Sequence, residues 1–117
     1  MGTSSFKEIE AWQLAHQFVL QVYELTQHFP KDELYGLTSQ FRRATVSIAA
    51  NICEGYKKFG TKDKIRFYNI SQGSIEECRY YILLSKDLSY GYSSHMEELL
   101  DKCSRKLFAY IQAIRST

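Results

Sequence analysis

Apolar residues recur at every third or fourth position in four segments of this chain, a spacing that predicts amphipathic helices. Proline at position 30 ends the first segment, because the residue before a proline is pushed out of the helical region. Gly60 and Gly91 are helix-terminating signals after the second and third segments, and Ser94 with Glu97 resembles a capping box that opens the fourth. The four helices are predicted at about 6–28, from between 32 and 38 to about 59, at 62–89, and from 94 onward.

Each segment carries a stripe of residues that is expected to face a common core. In the second helix the stripe is Leu37, Phe41, Ala44, Ile48, Ile52, Gly55 and Phe59. In the third it is Phe67, Ile70, Ser74, Glu77, Tyr81, Leu84 and Leu88. In the fourth it is Met96, Leu100, Cys103, Leu107, Ile111 and Ile114. Four such helices joined by short loops predict a single all-α domain over residues 1–117, an antiparallel up-down-up-down four-helix bundle.

The first helix has a wider apolar face than the other three. One stripe runs through Trp12, Val19 and Val22, and a second stripe beside it includes Leu14, Phe18 and Leu25. A surplus apolar face on a soluble bundle indicates a contact with another molecule. We therefore expect Leu14, Phe18 and Leu25 to form a self-association interface.

Polar residues at helical spacing lie on both sides of the turn near Gly60. If that turn closes a helical hairpin, residue i of the second helix lies level with residue 120 − i of the third. This register sets Arg43 against Glu77 and Ser47 against Ser74, and it predicts a buried or half-buried Arg43–Glu77 ion pair. The predicted polar network consists of Gln40, Arg43, Ser47, Asn51, Glu54, Ser74 and Glu77.

Positive charge is concentrated in the middle of the chain, although the net charge is only +2. Residues 41–80 hold eight Lys or Arg and four Asp or Glu, whereas residues 1–40 hold two and five. Cations interleaved with aromatic residues are typical of surfaces that bind single-stranded nucleic acid or RNA, and a solvated hairpin tip is the alternative interpretation. The candidate nucleic-acid-binding residues are Arg42, Lys57, Lys58, Lys62, Lys64 and Arg66.

Patterns that indicate catalysis, metal binding or a cofactor are missing from the sequence. The three histidines have no Glu three positions earlier, which a di-iron bundle requires. Glu54 and Glu77 could form an acid pair, but the arginines expected level with them favour structural ion pairs. The three widely spaced cysteines favour small buried side chains in a reducing cytoplasm. No apolar run is long enough to span a membrane, so we expect a cytoplasmic protein with no metal and no cofactor.

Several short motifs together resemble the four-helix-bundle proteins encoded in 23S rRNA intervening sequences, a family that includes the accessory variability determinant of diversity-generating retroelements. The resemblance covers nearly the whole chain. One departure is Cys53, where the family pattern has alanine. The motifs are Phe29-Pro30, Gln40-x-Arg42-Arg43-Ala44, Ser47-Ile48, Asn51-Ile52-x-Glu54-Gly55 and Gly73-Ser74-x-x-Glu77.

The resemblance implies a ring-like homopentamer without enzymatic activity. For the retroelement members it also implies binding to a reverse transcriptase and to nucleic acid through a basic surface. The residues themselves leave RNA, DNA and protein open as partners. A protein-interaction scaffold that does not bind nucleic acid is therefore the alternative function.

Overall fold

The computed structural model describes residues 5–117, so residues 1–4 of the predicted domain lie outside the described part. Four α-helices dominate this part: α1 (Glu10–Thr26), α2 (Leu37–Lys57), α3 (Thr61–Asp87) and α4 (Ser94–Arg115). Single turns of 3₁₀ helix, Phe6–Glu8 and Lys31–Glu33, precede α1 and α2. The described residues include no β-strand, and the all-α prediction is confirmed.

The four helices form a closed cycle in which each packs against two others. Helix α1 lies between α2 and α4, and α3 lies between the same two helices on the opposite side. Successive helices are therefore neighbours, as expected for the up-down-up-down bundle. Helices α3 and α4 make the sparsest of these four contacts, and a groove opens between them.

The predicted N-cap of the fourth helix is displaced by one residue. Ser93, rather than Ser94, caps α4 and accepts a hydrogen bond from the Met96 amide. Helix α3 begins at Thr61, and Gly60 occupies its N-cap position without a side-chain cap. A shift of one residue is common at helix ends, where several polar residues compete to be the cap.

The surplus apolar face predicted on α1 is wrong. Leu14 and Phe18 are 7% and 0% exposed, and Leu25 is partly buried against the same core. The reason is that α1 has a neighbour on each side, α2 and α4, and these two helices cover both of its stripes. The interface predicted from Leu14, Phe18 and Leu25 is therefore core packing within the bundle.

The predicted core face of α3 is only partly right. Ser74 and Tyr81 are buried as predicted, but elsewhere on the helix the buried face lies about one residue further along the chain. Ile70 and Leu88 are exposed, whereas Tyr68, Ile75 and Cys78 are buried. Two buried serines outside the predicted stripe, Ser71 and Ser85, mislead the periodicity. The Ser71 hydroxyl donates to the Ile48 carbonyl of α2 at 2.8 Å, so this polar side chain is satisfied within the core.

The stripes of α2 and α4 are confirmed, apart from one residue of α2. Helical spacing places Phe59 at the end of the α2 stripe, but it is fully exposed. Helix α2 ends at Lys57, so helical spacing no longer determines where the Phe59 side chain lies. The tip of the α2–α3 hairpin therefore carries an aromatic ring in solvent.

A basic hairpin tip and a polar cleft as candidate functional sites

Two lysines at the tip of the α2–α3 hairpin have no ion-pair partner within residues 5–117. These are Lys57, in the last turn of α2, and Lys62, in the first turn of α3, and both are exposed. They flank Phe59, the exposed ring at the tip. Two unpaired cations beside an exposed aromatic ring can offer charge to a phosphate and a flat face to a base.

Two further cations of the predicted set lie near the tip but are partly neutralised. Lys58 Nζ lies 3.6 Å from Glu54, and Arg66 lies 3.6 Å from Asp63. Both cations also lie over the ring of Phe67, at 5.0 and 4.6 Å from its centre. These are exposed or half-exposed pairs that contribute little to stability, so both cations can exchange partners with an incoming anion.

Lys64 is held in place by the backbone at the end of α2. Its ammonium donates to the carbonyls of Tyr56, at 2.6 Å, and Gly55, at 3.3 Å. Burial lowers the pKa of Lys64. The side chain thus binds the last turn of α2, and it has a structural role.

Arg42 does not belong to the hairpin tip. It lies 15 residues before Lys57 on the same helix, about 22 Å away at the rise of an α-helix. Its Nε donates to the Thr26 hydroxyl at 2.8 Å, and another guanidinium nitrogen donates to the Tyr23 carbonyl at 3.3 Å. The guanidinium also lies 4.6 Å from the centre of the Tyr23 ring. Arg42 therefore fastens α2 to the end of α1.

A groove of about 360 Å³ runs between α3 and α4, starting at the tip. Lys62 and Arg66 line it from α3, and Arg115 lines it from α4. The sequence pattern does not indicate Arg115, because it is 49 residues from Arg66 in the chain and only the packing of α4 against α3 brings the two to one groove. No acidic side chain of the described residues lines the groove.

A cleft of about 420 Å³ between α2 and α3 is lined by five members of the predicted polar network, Gln40, Arg43, Ser47, Ser74 and Glu77. The Ser74 hydroxyl donates to the Ser47 hydroxyl at 2.9 Å, which confirms the predicted hairpin register. The Asn51 amide donates to the same Ser47 oxygen at 3.0 Å. These three members of the predicted network are therefore joined across the two helices.

A second part of the network is organised by Tyr81, a residue that sequence analysis left out of it. Its hydroxyl lies 2.7 Å from a Glu77 carboxylate oxygen and 3.1 Å from the Gln40 carbonyl oxygen. Burial, followed by the hydrogen bond to Glu77, raises the pKa of Tyr81 to about 12. Glu54 does not join the network, since its carboxylate pairs with Lys58.

The predicted ion pair between Arg43 and Glu77 is wrong for the single chain. Both side chains line the cleft and both are exposed, yet none of the ion pairs within residues 5–117 joins them. Glu77 accepts from Tyr81 instead, and Arg43 has no hydrogen-bond or ion-pair partner among the described residues. The cleft thus presents one unpaired guanidinium to solvent.

Gly73 lies beside this cleft, in the middle of the 27-residue helix α3. A β-carbon built there would meet no atom within 4 Å. Glycine in a helix interior costs about 1 kcal/mol relative to alanine, and nothing within the bundle requires it at this position. An open glycine on a helix face leaves room for another backbone to approach closely.

The described residues contain no cluster of three or more His, Cys, Asp or Glu side chains placed to hold a metal ion. Within the same residues, no helix combines the length and the apolar character needed to cross a membrane.

The fold and its sites define an all-α four-helix-bundle protein with a basic hairpin tip. A family model described as 23S rRNA-intervening sequence protein matches residues 7–108, and the chain belongs to that family. A crystal structure at 1.70 Å of a protein of unknown function from the S23 ribosomal protein family of Bacteroides thetaiotaomicron is similar to this chain. The TM-score is 0.76 at 20% identity, and the alignment covers 87% of this chain and 95% of the other. That similarity supports the fold alone, and no curated protein matches the chain.

Proposed function

We propose that this protein is a non-enzymatic homo-oligomer that binds nucleic acid through the tip of its α2–α3 hairpin. The observation that carries the proposal is the pair of exposed, unpaired lysines, Lys57 and Lys62, which flank the exposed Phe59 in the chain at the hairpin tip. Lys58 and Arg66 add cations that are only weakly paired. Contacts of this kind act on phosphates, so we expect little sequence preference.

The structure revises the residue set on which this proposal rests. Arg42 and Lys64 already hold helix ends in the bundle, so we assign them structural roles. The binding set is therefore Lys57, Lys58, Lys62 and Arg66.

The experiment is fluorescence anisotropy with labelled RNA and DNA oligonucleotides between about 50 and 200 mM salt, where phosphate contacts lose affinity steeply. We expect Lys57→Gln with Lys62→Gln to weaken binding and to flatten the dependence on salt. Lys102→Gln with Arg105→Gln, two exposed cations of α4, is the matched control and should change little. Equal losses in both double variants would mean that binding follows overall charge rather than the tip.

Self-association is the second part of the proposal, and the α2–α3 cleft supports it. The face around the cleft carries the unpaired guanidinium of Arg43 and the carboxylate of Glu77, of which one oxygen is hydrogen-bonded to Tyr81. Gly73 lies one helical turn before Glu77, with free space where a side chain would be. Because this face carries both positive and negative charge, it is better suited to binding a protein surface than to binding a polyanion, which the Glu77 carboxylate would repel. We propose that this face contacts a second copy of the chain, and the family resemblance implies five copies in all.

The same cleft also favours the alternative function, a protein-interaction scaffold in which the basic tip only aids solubility. A different protein, such as the reverse transcriptase that the resemblance implies for retroelement members, would then occupy the cleft. An assembly that binds neither RNA nor DNA, even at low salt, would favour this scaffold.

A further inference from the structure

The groove between α3 and α4 combines cations with amide side chains and an exposed aromatic ring. Lys62, Arg66 and Arg115 supply positive charge near the tip end of the groove, and its lining also includes three amide side chains, Asn69, Gln72 and Gln112. Phe108 lines the same groove with 56% of its surface exposed. Charge, hydrogen-bonding amides and an aromatic face thus share one concave surface.

Helical spacing explains why these side chains share the groove. On α3, positions 62, 66 and 69 recur every three or four residues, as do positions 108, 112 and 115 on α4. From Lys62 to Gln72 the groove extends about 15 Å at the rise of an α-helix. That length accommodates about four stacked nucleotides at 3.4 Å each.

We infer that this groove binds a single strand of nucleic acid, with an unpaired base stacked on Phe108 and a phosphate held by Arg115. This inference rests on the proposed function, and it extends the binding surface from the hairpin tip onto α4. An aromatic side chain can stack on a base only where the face of that base is free, as in single strands and loops. The amides can donate to and accept from the edge of an unstacked base.

The charges along the groove favour nucleic acid over an acidic peptide only in combination with Phe108. Cations alone would attract either polyanion. The exposed Phe108 ring can stack favourably on a flat aromatic partner, and nucleobases supply such a face at every position of the strand. A duplex presents phosphates but no free base faces, so it would use Lys62, Arg66 and Arg115 and leave Phe108 in solvent.

The test compares a labelled single-stranded RNA of about ten nucleotides with an RNA duplex of the same length. We expect Phe108→Ala to weaken single-strand binding about tenfold, the loss typical of one base–aromatic stack, with an unchanged salt slope. Duplex binding should remain within twofold. Tyr35→Ala is the matched control, since Tyr35 is an exposed aromatic residue that lines the α2–α3 cleft instead.

Arg115→Gln tests the phosphate contact separately. The logarithmic salt slope on single strands should fall by about 0.7, the change expected for one lost phosphate contact. Arg105→Gln, on the same helix but outside the groove, should leave the slope unchanged.

The outcomes separate this inference from the proposed function. If the wild-type protein binds and the two lysine substitutions at the tip weaken it, while Phe108→Ala and Arg115→Gln have no effect, the groove assignment is overturned and the tip remains. If Phe108→Ala weakens duplex and single strand equally, stacking is also overturned. If the wild-type protein binds no nucleic acid at low salt, the proposed function itself fails.

Discussion

Two glycines of adjacent helices have opposite surroundings. A β-carbon at Gly55 would lie 2.6 Å from a ring carbon of Tyr68, which is fully buried. At Gly73 it would meet nothing within 4 Å. The first glycine is required by packing within the bundle, and the second is not.

We predict opposite effects of alanine at these two positions. Gly55→Ala should lower the free energy of unfolding by about 1–3 kcal/mol, because the buried Tyr68 ring has to shift. Gly73→Ala should raise the stability of the separated chain by up to about 1 kcal/mol, because alanine favours the helix and has space there. Urea denaturation at a fixed, low protein concentration measures both. A destabilised Gly73→Ala chain would mean that the open surface at Gly73 is not open in solution.

At the scale of single helices, Arg42 shows how a cation can be structural. Its guanidinium joins α2 to the last turn of α1 through Thr26 and the Tyr23 carbonyl. A cation at the C-terminal end of a helix also interacts favourably with the helix dipole. Both effects depend on where α1 ends and not on any ligand.

We predict that Arg42→Ala lowers the free energy of unfolding by about 1–2 kcal/mol, through lost hydrogen bonds and the contact with the Tyr23 ring. Arg42→Lys should recover only part of this loss, since lysine cannot reproduce two directed hydrogen bonds. Thermal melting measures stability, and anisotropy with RNA measures binding. If Arg42→Ala keeps full stability but loses RNA binding, Arg42 belongs to the binding surface after all.

At the scale of the whole molecule, self-association has a specific prediction. Gly73→Leu and Arg43→Glu should each shift the assembly toward the 13.7 kDa chain, the first by blocking close approach and the second by reversing the unpaired charge. Ala113→Leu and Arg105→Glu, exposed positions on α4, are the matched controls and should keep the wild-type size. Light scattering coupled to size-exclusion chromatography measures the mass.

A wild-type chain that is monomeric at micromolar concentration would overturn the proposed self-association. A wild-type assembly that both Gly73→Leu and Arg43→Glu leave intact would move the interface to another face.

Several thiols and phenols are buried with raised pKa values, and we therefore predict that the fold loses stability in alkaline solution. Burial raises the pKa of Cys103 to about 12, and burial with the Glu77 hydrogen bond raises that of Tyr81 to about 12. Burial also raises the pKa values of Cys78 and Tyr68. As the pH rises above about 9, the unfolded chain releases these protons before the folded chain does. This deprotonation lowers the free energy of the unfolded state relative to the folded state, so the free energy of unfolding falls.

We therefore expect urea midpoints to be level near pH 7–8 and to fall progressively from about pH 9 toward pH 12. Tyr81→Phe removes one ionisation with little change in volume, so its midpoint should fall less steeply above pH 10. Tyr35→Phe, at a highly exposed ring, is the control and should follow the wild type. A wild-type midpoint that stays level through pH 11 would contradict the assignment of these groups to the core.

The sequence by itself determined the helices and much of their pairing. The stripes of α2 and α4, the hairpin register of Ser47 and Ser74, and the family all follow from spacing and motifs between neighbouring segments. Local periodicity is sufficient there because each stripe is clearly amphipathic. On α3 it succeeded at Ser74 and Tyr81. It failed elsewhere on that helix, because other buried serines and the exposed Ile70 and Leu88 invert the usual pattern of polarity.

Only the tertiary structure decided which residues are free to act. Phe18 is core because two helices flank α1, and Arg42 is structural because α1 ends beside it. Arg115 and Phe108 meet Lys62 and Arg66 only through the packing of α4 on α3. Contacts between residues far apart in the chain decide whether a side chain is exposed, whether it has a partner and which other side chains lie beside it. Helical spacing within one segment carries no information about such contacts.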